Sequence, residues 1–325
     1  MADYADLQAR ILGIIDSFIP VFAGLILETL PFLLFGTLLS ALLQAFVPQE
    51  AMRRAFPNNR FLSMGAALLI GVFLPVCECA TVPLARRMRQ TGLPLSTVVA
   101  FLLAAPIVNP MTVISTWVAF RGTAHPWLFL LRVGVGLLSA GLVASTVELL
   151  VRKGVIADSP ESLFPDLVRA SALPQASPDK AKGGRSRLPE RIADMLDRTA
   201  YDFLDTARYL VAGIAAASLL RALYPAGLAG FSLPRELSAI CGGIGSAYVL
   251  SLCSAADAFV ARAMFSNAPM TATLSFLVMG PMLDLKNTIL LSRFAKPGQV
   301  LALAAGVALT VGVLIGFLAA AGALG

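Results

Sequence analysis

The stretch "LPLSTVVAFLLAAPIVNPMTVI", Leu93–Ile114, decides the fold, because "APMTATLSFLVMGPMLDLKNTI", Ala268–Ile289, repeats it. In one constant register Pro94 meets Pro269, Phe101 meets Phe276, Pro106 meets Pro281 and Asn109 meets Asp284. One residue of offset further, Cys77 meets Cys253 and "ARRM" (Ala85 to Met88) meets "ARAM" (Ala261 to Met264). Earlier still, Glu28-Thr29 meets Asp205-Thr206, Gly36 meets Gly213 and Pro48 meets Pro225. Apolar segments resemble one another by chance, but chance does not set prolines, acids and a cysteine in the same order. The chain therefore reads as two copies of one unit.

Composition gives the environment. Of 325 residues, 58% are hydrophobic and 14% charged, against roughly 25% charged in soluble domains. Apolar runs near 17–45, 61–85, 94–120, 126–151, 203–223, 236–260, 269–292 and 299–324 approach or exceed the ~20 residues that cross a bilayer as helix. Strand alternation is absent and the runs are too long for barrel strands, so the expectation is an all-α polytopic membrane protein with about eight hydrophobic segments. The start, "MADYADLQAR", has no basic region of the kind that precedes a cleaved signal, so the first helix is expected to stay. A net charge of +6 fits basic cytoplasmic loops, and no basic, aromatic-interleaved soluble domain suggests nucleic acid.

The expected organisation is a first membrane repeat over 11–151, a Pro-, Ser- and charge-rich linker over 152–198, and a second repeat over 199–324. The basic "DKAKGGRSR" puts the linker in the cytoplasm. If all four runs of a half crossed fully, Arg53, Arg54 and Arg60 would lie opposite that linker. If 61–90 is instead a re-entrant hairpin, these arginines, Arg86, Arg87 and Arg89 share its side. Each half then crosses three times, and an odd number makes the repeats inverted, as in many secondary transporters. The charge pattern favours the hairpin.

Prolines mark where helices should break: Pro75 and Pro83 around the cysteines, Pro106 and Pro110 around "IVN", and Pro281 before "MLDLKN". Proline removes a donor and clashes with the preceding turn, and in lipid such breaks survive only inside protein or beside a wet cavity. In "PVCECATVP", Cys77 and Cys79 would diverge on a regular helix but face the same way in an unwound apex. Thiolates suit soft metals and metalloids, so Cys77 and Cys79 are candidate ligands, with Cys253 as the partner from the second unit. Buried cysteine also serves as a small hydrophobe, and that reading stays open, above all for Cys241. Ionisable groups at membrane depth suggest a pathway or relay: Glu78, Asp257 and Asp284, with Glu28 and Asp205 as capping or joining residues. Asp257 follows Cys253 by four and would share its helical face. Asp284 has Lys286 as a ready interfacial partner, Glu148 reads as interfacial, and the lone His125 as a loop residue. No phosphate loop, G-x-S-x-G or H-E-x-x-H occurs, so neither ATP hydrolysis nor enzyme chemistry is expected, and no cofactor.

"PVCECATVPLARRM", "AFLLAAPIVNP", "LCSAADAFVA" and "FLVMGPMLDLKN" resemble the predicted permease family that includes the methylarsenite (organoarsenical) efflux permeases. The resemblance covers nearly the whole chain except the linker. It implies a multi-pass permease of the inner (plasma) membrane, with efflux of a soft, thiophilic solute such as a trivalent organoarsenical or metal ion. By position it points to Cys77 and Cys79, with Cys253 and Asp257 as the paired element. Asn109 joins the substrate-binding candidates, and Glu78, Asp257 and Asp284 those for coupling or charge balance. The partners implied are the solute, the lipid bilayer and, in keeping with the fold, a second copy of the chain. A membrane thiol oxidoreductase cycling Cys77–Cys79 and a channel-like subunit are the alternatives.

Overall fold

The computed structural model describes residues 16–38, 56–72, 78–155, 188–223, 235–292 and 297–322, apart from positions 17, 32, 36, 58, 124, 255 and 267. Among the described residues the chain is helical, without strands. In order the helices are α1 (Phe18–Phe35), α2 (Arg60–Ile70), α3 (Glu78–Gln90), α4 (Leu95–Val108), α5 (Pro110–Phe120), α6 (Leu128–Arg152), α7 (Leu188–Leu223), α8 (Arg235–Leu250), α9 (Asp257–Met264), α10 (Met270–Met282), α11 (Leu285–Ser292) and α12 (Pro297–Ala320).

Among the described residues five stretches are long and apolar enough to cross a membrane: α1, α4–α5 (Leu95–Phe120), α6, α10–α11 (Met270–Ser292) and α12. Arg60–Ile70, Thr206–Leu220 and Glu236–Leu250 are shorter apolar helices. The first of these is 11 residues, roughly 16 Å of helix, which falls short of a ~30 Å hydrocarbon core. The run over 61–85 is thus two short helices, α2 and α3, rather than one span. Helix α7 begins at Leu188, ahead of the boundary expected at 199, with Pro189 and Glu190 in its first turn as helix starts favour.

α4 and α10 form the centre. Every residue of α4 is buried, as are Thr271 to Met282 of α10. A helix apolar on all sides belongs inside a bundle, and Phe101 and Phe276 occupy matching places in the two cores. The outer helices turn large apolar side chains outward: Leu130, Leu138 and Leu149 on α6, and Leu301, Leu309 and Phe317 on α12. Such continuous outward apolar surface suits lipid.

The two central spans are broken in the same way. α4 and α10 start after Pro94 and Pro269 with near-identical backbone angles (φ −56°, ψ 146° and φ −55°, ψ 147°). Pro106 and Pro281 lie inside those helices, close to their ends, and the break comes at Asn109 and at Leu283–Asp284. The polar residue then caps the next helix: Asn109 Oδ1 accepts from the Met111 amide at 3.0 Å, and Asp284 Oδ1 from the Asn287 amide at 2.7 Å. Pro110 occupies the first turn of α5, where its missing N–H costs nothing. Pro106 has its own carbonyl taken by Thr112 Oγ1 at 2.9 Å, so the break leaves that group satisfied. Pro83 does not break its helix: α3 runs through it from Glu78 to Gln90. As the sixth residue of α3 it forgoes one helical bond, the one its N–H would have made to the Cys79 carbonyl. Pro75 lies outside the described residues.

Glu148, near the end of α6, fixes how the elements run. Arg60 at the start of α2 reaches it at 3.3 Å, Ser96 in the first turn of α4 at 2.9 Å and Arg152 at 2.9 Å. The start of α2, the start of α4 and the end of α6 therefore meet at one end of the molecule, and Glu148 is buried rather than merely interfacial. Further along, Gly136 of α6 faces Ile107 of α4, and Arg132 of α6 bonds Thr116 of α5 at 2.6 Å. α4–α5 thus runs antiparallel to α6 along its length and emerges at the far end. There Arg262, in the last turn of α9, donates to the carbonyl of Ala119 near the end of α5. The short pair α2–α3 opens at the linker end, whereas α8–α9 opens at the far end.

This geometry makes a labelling prediction in a Cys241→Ser background. Gln90→Cys and Lys153→Cys will react with a membrane-impermeant maleimide from one side and Gly122→Cys from the other. Labelling of positions 90 and 122 from the same side would contradict it.

Candidate substrate and coupling site

The start of α3 and the segment after α8 converge on α11. Asp284 caps α11, and Lys286 sits in its first turn, fully buried. The Lys286 ammonium donates to Glu78 Oε1 at 2.9 Å, to the Ser251 carbonyl at 3.1 Å and to the Leu252 carbonyl at 3.3 Å. It also lies 3.2 Å from Asp284 Oδ2. Glu78 begins α3, between Cys77 and Cys79; Ser251 and Leu252 directly precede Cys253. One side chain thus joins the two cysteine-bearing segments that the sequence repeat pairs.

The second segment is unwound for this contact. Residues 251–253 leave the helix after α8, and Ser251 has φ +49°, a left-handed conformation that costs a residue other than glycine about 1–2 kcal/mol. Its carbonyl receives the ammonium. α7 approaches equally closely: a Cβ on Gly213 would stand 2.9 Å from Lys286 Cα and 3.0 Å from its carbonyl oxygen, so only glycine admits the contact. Its repeat partner Gly36 lies outside the described residues.

A second ion pair sits beside the first. Arg132 forms a two-pronged contact with Asp257, Nη1 to Oδ1 at 3.1 Å and Nη2 to Oδ2. Both side chains are buried, at 1% and 2% exposure. The geometry is the planar fork that makes arginine–carboxylate pairs strong. Arg132 Nη1 also donates to Thr116 Oγ1, which donates to the Thr112 carbonyl at 2.7 Å, and Thr112 holds the Pro106 carbonyl. The pair is thereby wired to the break in α4–α5. Glu28 of α1 is half-buried and lies within electrostatic reach of Lys286, Glu78 and the Cys253 thiol.

Several expected residues therefore gather here: Glu78, Asp284, Asp257, Glu28 and the buried Cys253. Asp257 follows Cys253 through a hydrogen-bonded turn, its amide bonding the Cys253 carbonyl at 3.1 Å, and its carboxylate turns to Arg132. One detail differs from the sequence reading. The Asp284–Lys286 pair is a core pair, with both side chains at 0% exposure, not an interfacial one. Asn109 is a helix cap at 4% exposure. Cys77 lies outside the described residues, as do the side chains of Cys79 and Asp205; Cys241 is exposed on α8. Among the described residues no three His, Cys, Asp or Glu side chains converge as a metal site. Arg132 is the functional candidate that pattern reading passed over. A lone cation inside "LFLLRVGVG" carried the signal, since a charge within a span is costly unless paired.

The class these features define is a polytopic helical membrane protein with broken central helices around a buried charge cluster. The family model described as "Predicted permease" matches residues 14–320, and the chain belongs to that family. It is 32% identical over 277 residues to UPF0718 protein YcgR of Bacillus subtilis, covering 85% of this chain and 88% of that one. It is 29% identical over 276 residues to a putative two-component membrane permease complex subunit of Streptococcus mutans, covering 85% and 86%. A 119-residue stretch is 28% identical to UPF0718 protein YraQ of Escherichia coli, 36% of this chain and 33% of that one. No solved structure matches the chain.

Removing one member of a buried ion pair strands its partner's charge. Arg132→Met is expected to cost about 3–5 kcal/mol, and Arg132→Met with Asp257→Leu to recover most of it. Unfolding of the purified variants in detergent measures both. Additive losses in the double variant would mean that the pair does not interact.

Proposed function

We propose that this permease is a secondary transporter built from two inverted repeats, about 11–151 and 199–324, the second led in by the start of α7. It exports a soft, thiophilic solute, such as a trivalent organoarsenical or a soft metal ion, across the inner membrane. Cys77, Cys79 and Cys253 bind the solute near the midplane, Asn109 lines its path, and Glu78, Asp257 and Asp284 balance or couple charge. The linker is cytoplasmic, which puts the opening of α2–α3 on that side and the opening of α8–α9 outside.

One observation carries this reading: Lys286 binds Glu78 from the first cysteine segment and the Ser251 and Leu252 carbonyls from the second. Two cysteine-bearing segments whose neighbouring residues meet at a broken helix suit a midplane carrier site. Inversion draws support from the opposite openings of the two short-helix pairs. Rocking of one repeat against the other would then open the site to each side in turn. A relative's name describes it as one subunit of a two-component membrane permease complex. We infer that this chain too works with a second component or a second copy through its outward apolar faces.

The test is resistance of a sensitive host to arsenicals, antimonials and soft metal ions, combined with uptake into inverted membrane vesicles. Cys77→Ser, Cys79→Ser and Cys253→Ser are expected each to abolish solute-driven resistance, with Cys241→Ser unchanged and all four proteins present in the membrane at wild-type levels. Full transport in the Cys77 and Cys79 variants would refute thiol ligation.

A further inference from the structure

Beside the Lys286 cluster lies a small cavity lined by Glu78, Thr81, Val82, Leu102, Met282, Leu283, Asn287 and Leu291. Its water-accessible space is about 10 Å³, close to the size of one water. Two of its lining residues, Glu78 and Asn287, are 2% and 4% exposed, and among the described residues Glu78 Oε2 and Asn287 Oδ1 have no hydrogen-bond partner. Buried acceptors left empty cost free energy, so a cavity lined by two residues that carry them calls for a donor or a cation.

Charge distinguishes between these. Lys286 is the ammonium between two carboxylates, Glu78 on one side and Asp284 on the other, while Asp257 is neutralised separately by Arg132. Glu28 lies within electrostatic reach of Glu78. Among the described residues, one ammonium against the Glu78 and Asp284 carboxyl groups leaves a buried negative excess on the side of Glu78 that Lys286 does not occupy. Met282 and Leu283 add to it. They form the carboxyl-terminal end of α10, where the last carbonyls of a helix lack intrahelical partners and carry the negative end of its dipole. Thr81 Oγ1 donates to the Glu78 carbonyl at 2.7 Å and keeps its lone pairs for a ligand. An acceptor-only set of carboxylate, amide and hydroxyl oxygens at a half-helix end suits a hard monovalent cation, not a thiophilic metal.

We propose that this cavity binds one dehydrated, sodium-sized cation through Glu78 Oε2, Asn287 Oδ1 and Thr81 Oγ1 at the carboxyl-terminal end of α10. On the permease reading above, that cation is the coupling ion. Its site shares Glu78 with the first cysteine segment, so filling it and loading the thiols would act on the same tip.

Binding is measured on the purified full chain in detergent, by the unfolding temperature and by equilibrium binding of radioactive sodium, with choline replacing sodium at constant ionic strength. The expected result is a saturable rise in unfolding temperature with sodium but not choline, and one sodium bound per chain. Asn287→Ala is expected to weaken sodium binding about tenfold or more. Because Glu78→Gln also disturbs the Lys286 pair, Thr81→Val serves as a second, milder variant with weakened sodium affinity. Three results would overturn the proposal: no difference between sodium and choline; a sodium effect unchanged in both Asn287→Ala and Thr81→Val; or stabilisation by protons alone, seen as a response to pH with none to sodium. Sodium binding without any solute transport would leave the site standing and remove the permease reading; transport without sodium binding would do the reverse.

Discussion

A single ammonium, that of Lys286, holds the centre of this molecule. It takes a carboxylate from α3, two carbonyls from the unwound segment after α8 and the capping carboxylate of its own helix. These groups come from positions far apart in the chain and enter from opposite ends of the bundle. Without the ammonium, Glu78 would be a buried, uncompensated charge and the Ser251 and Leu252 carbonyls would lose a buried donor, each a cost of kcal/mol size. The unwound segment, the left-handed Ser251 and the close approach of Gly213 all serve to bring a lysine backbone and its side chain to this one point.

The breaks in α4–α5 and α10–α11 make that convergence possible. Each interrupts a central helix, and in each a polar residue at the break caps the next helix. In the second span the cap is charged, and its helix carries Lys286; in the first the cap is the neutral Asn109, and Met111 stands in the lysine's place. The repeat is therefore asymmetric where it matters chemically. Charge in the first half is supplied instead from outside the broken span, by Arg132 of α6 reaching across to Asp257. The two halves share a scaffold and divide the ionic work between them.

Much of this could be read from residues alone. The prolines, Asn109 and Asp284 stood in register between the two halves, and proline has few uses within a span other than a break or a kink. The pairing of the Cys77 and Cys253 segments came from the same register, and structure brings their neighbours Glu78 and Ser251–Leu252 to one lysine. The features that were not legible depended on distance through space. Arg132 and Asp257 are separated by 125 positions, so no local pattern links them, and an apolar run absorbs a single arginine without losing its character. Pro83 looked like a helix boundary, yet α3 runs through it from Glu78 to Gln90. Glu148 looked interfacial because it sits near a helix end, yet two arginines and a serine close over it.

The most direct test of Lys286 as the joint between the two tips is hydrogen exchange by mass spectrometry on Lys286→Met beside the wild type. The amides of α3 and those of residues 251–264 should lose protection together, while α4 and α6 keep theirs. Loss confined to α11, with the segments around Glu78 and Ser251 unchanged, would contradict the account.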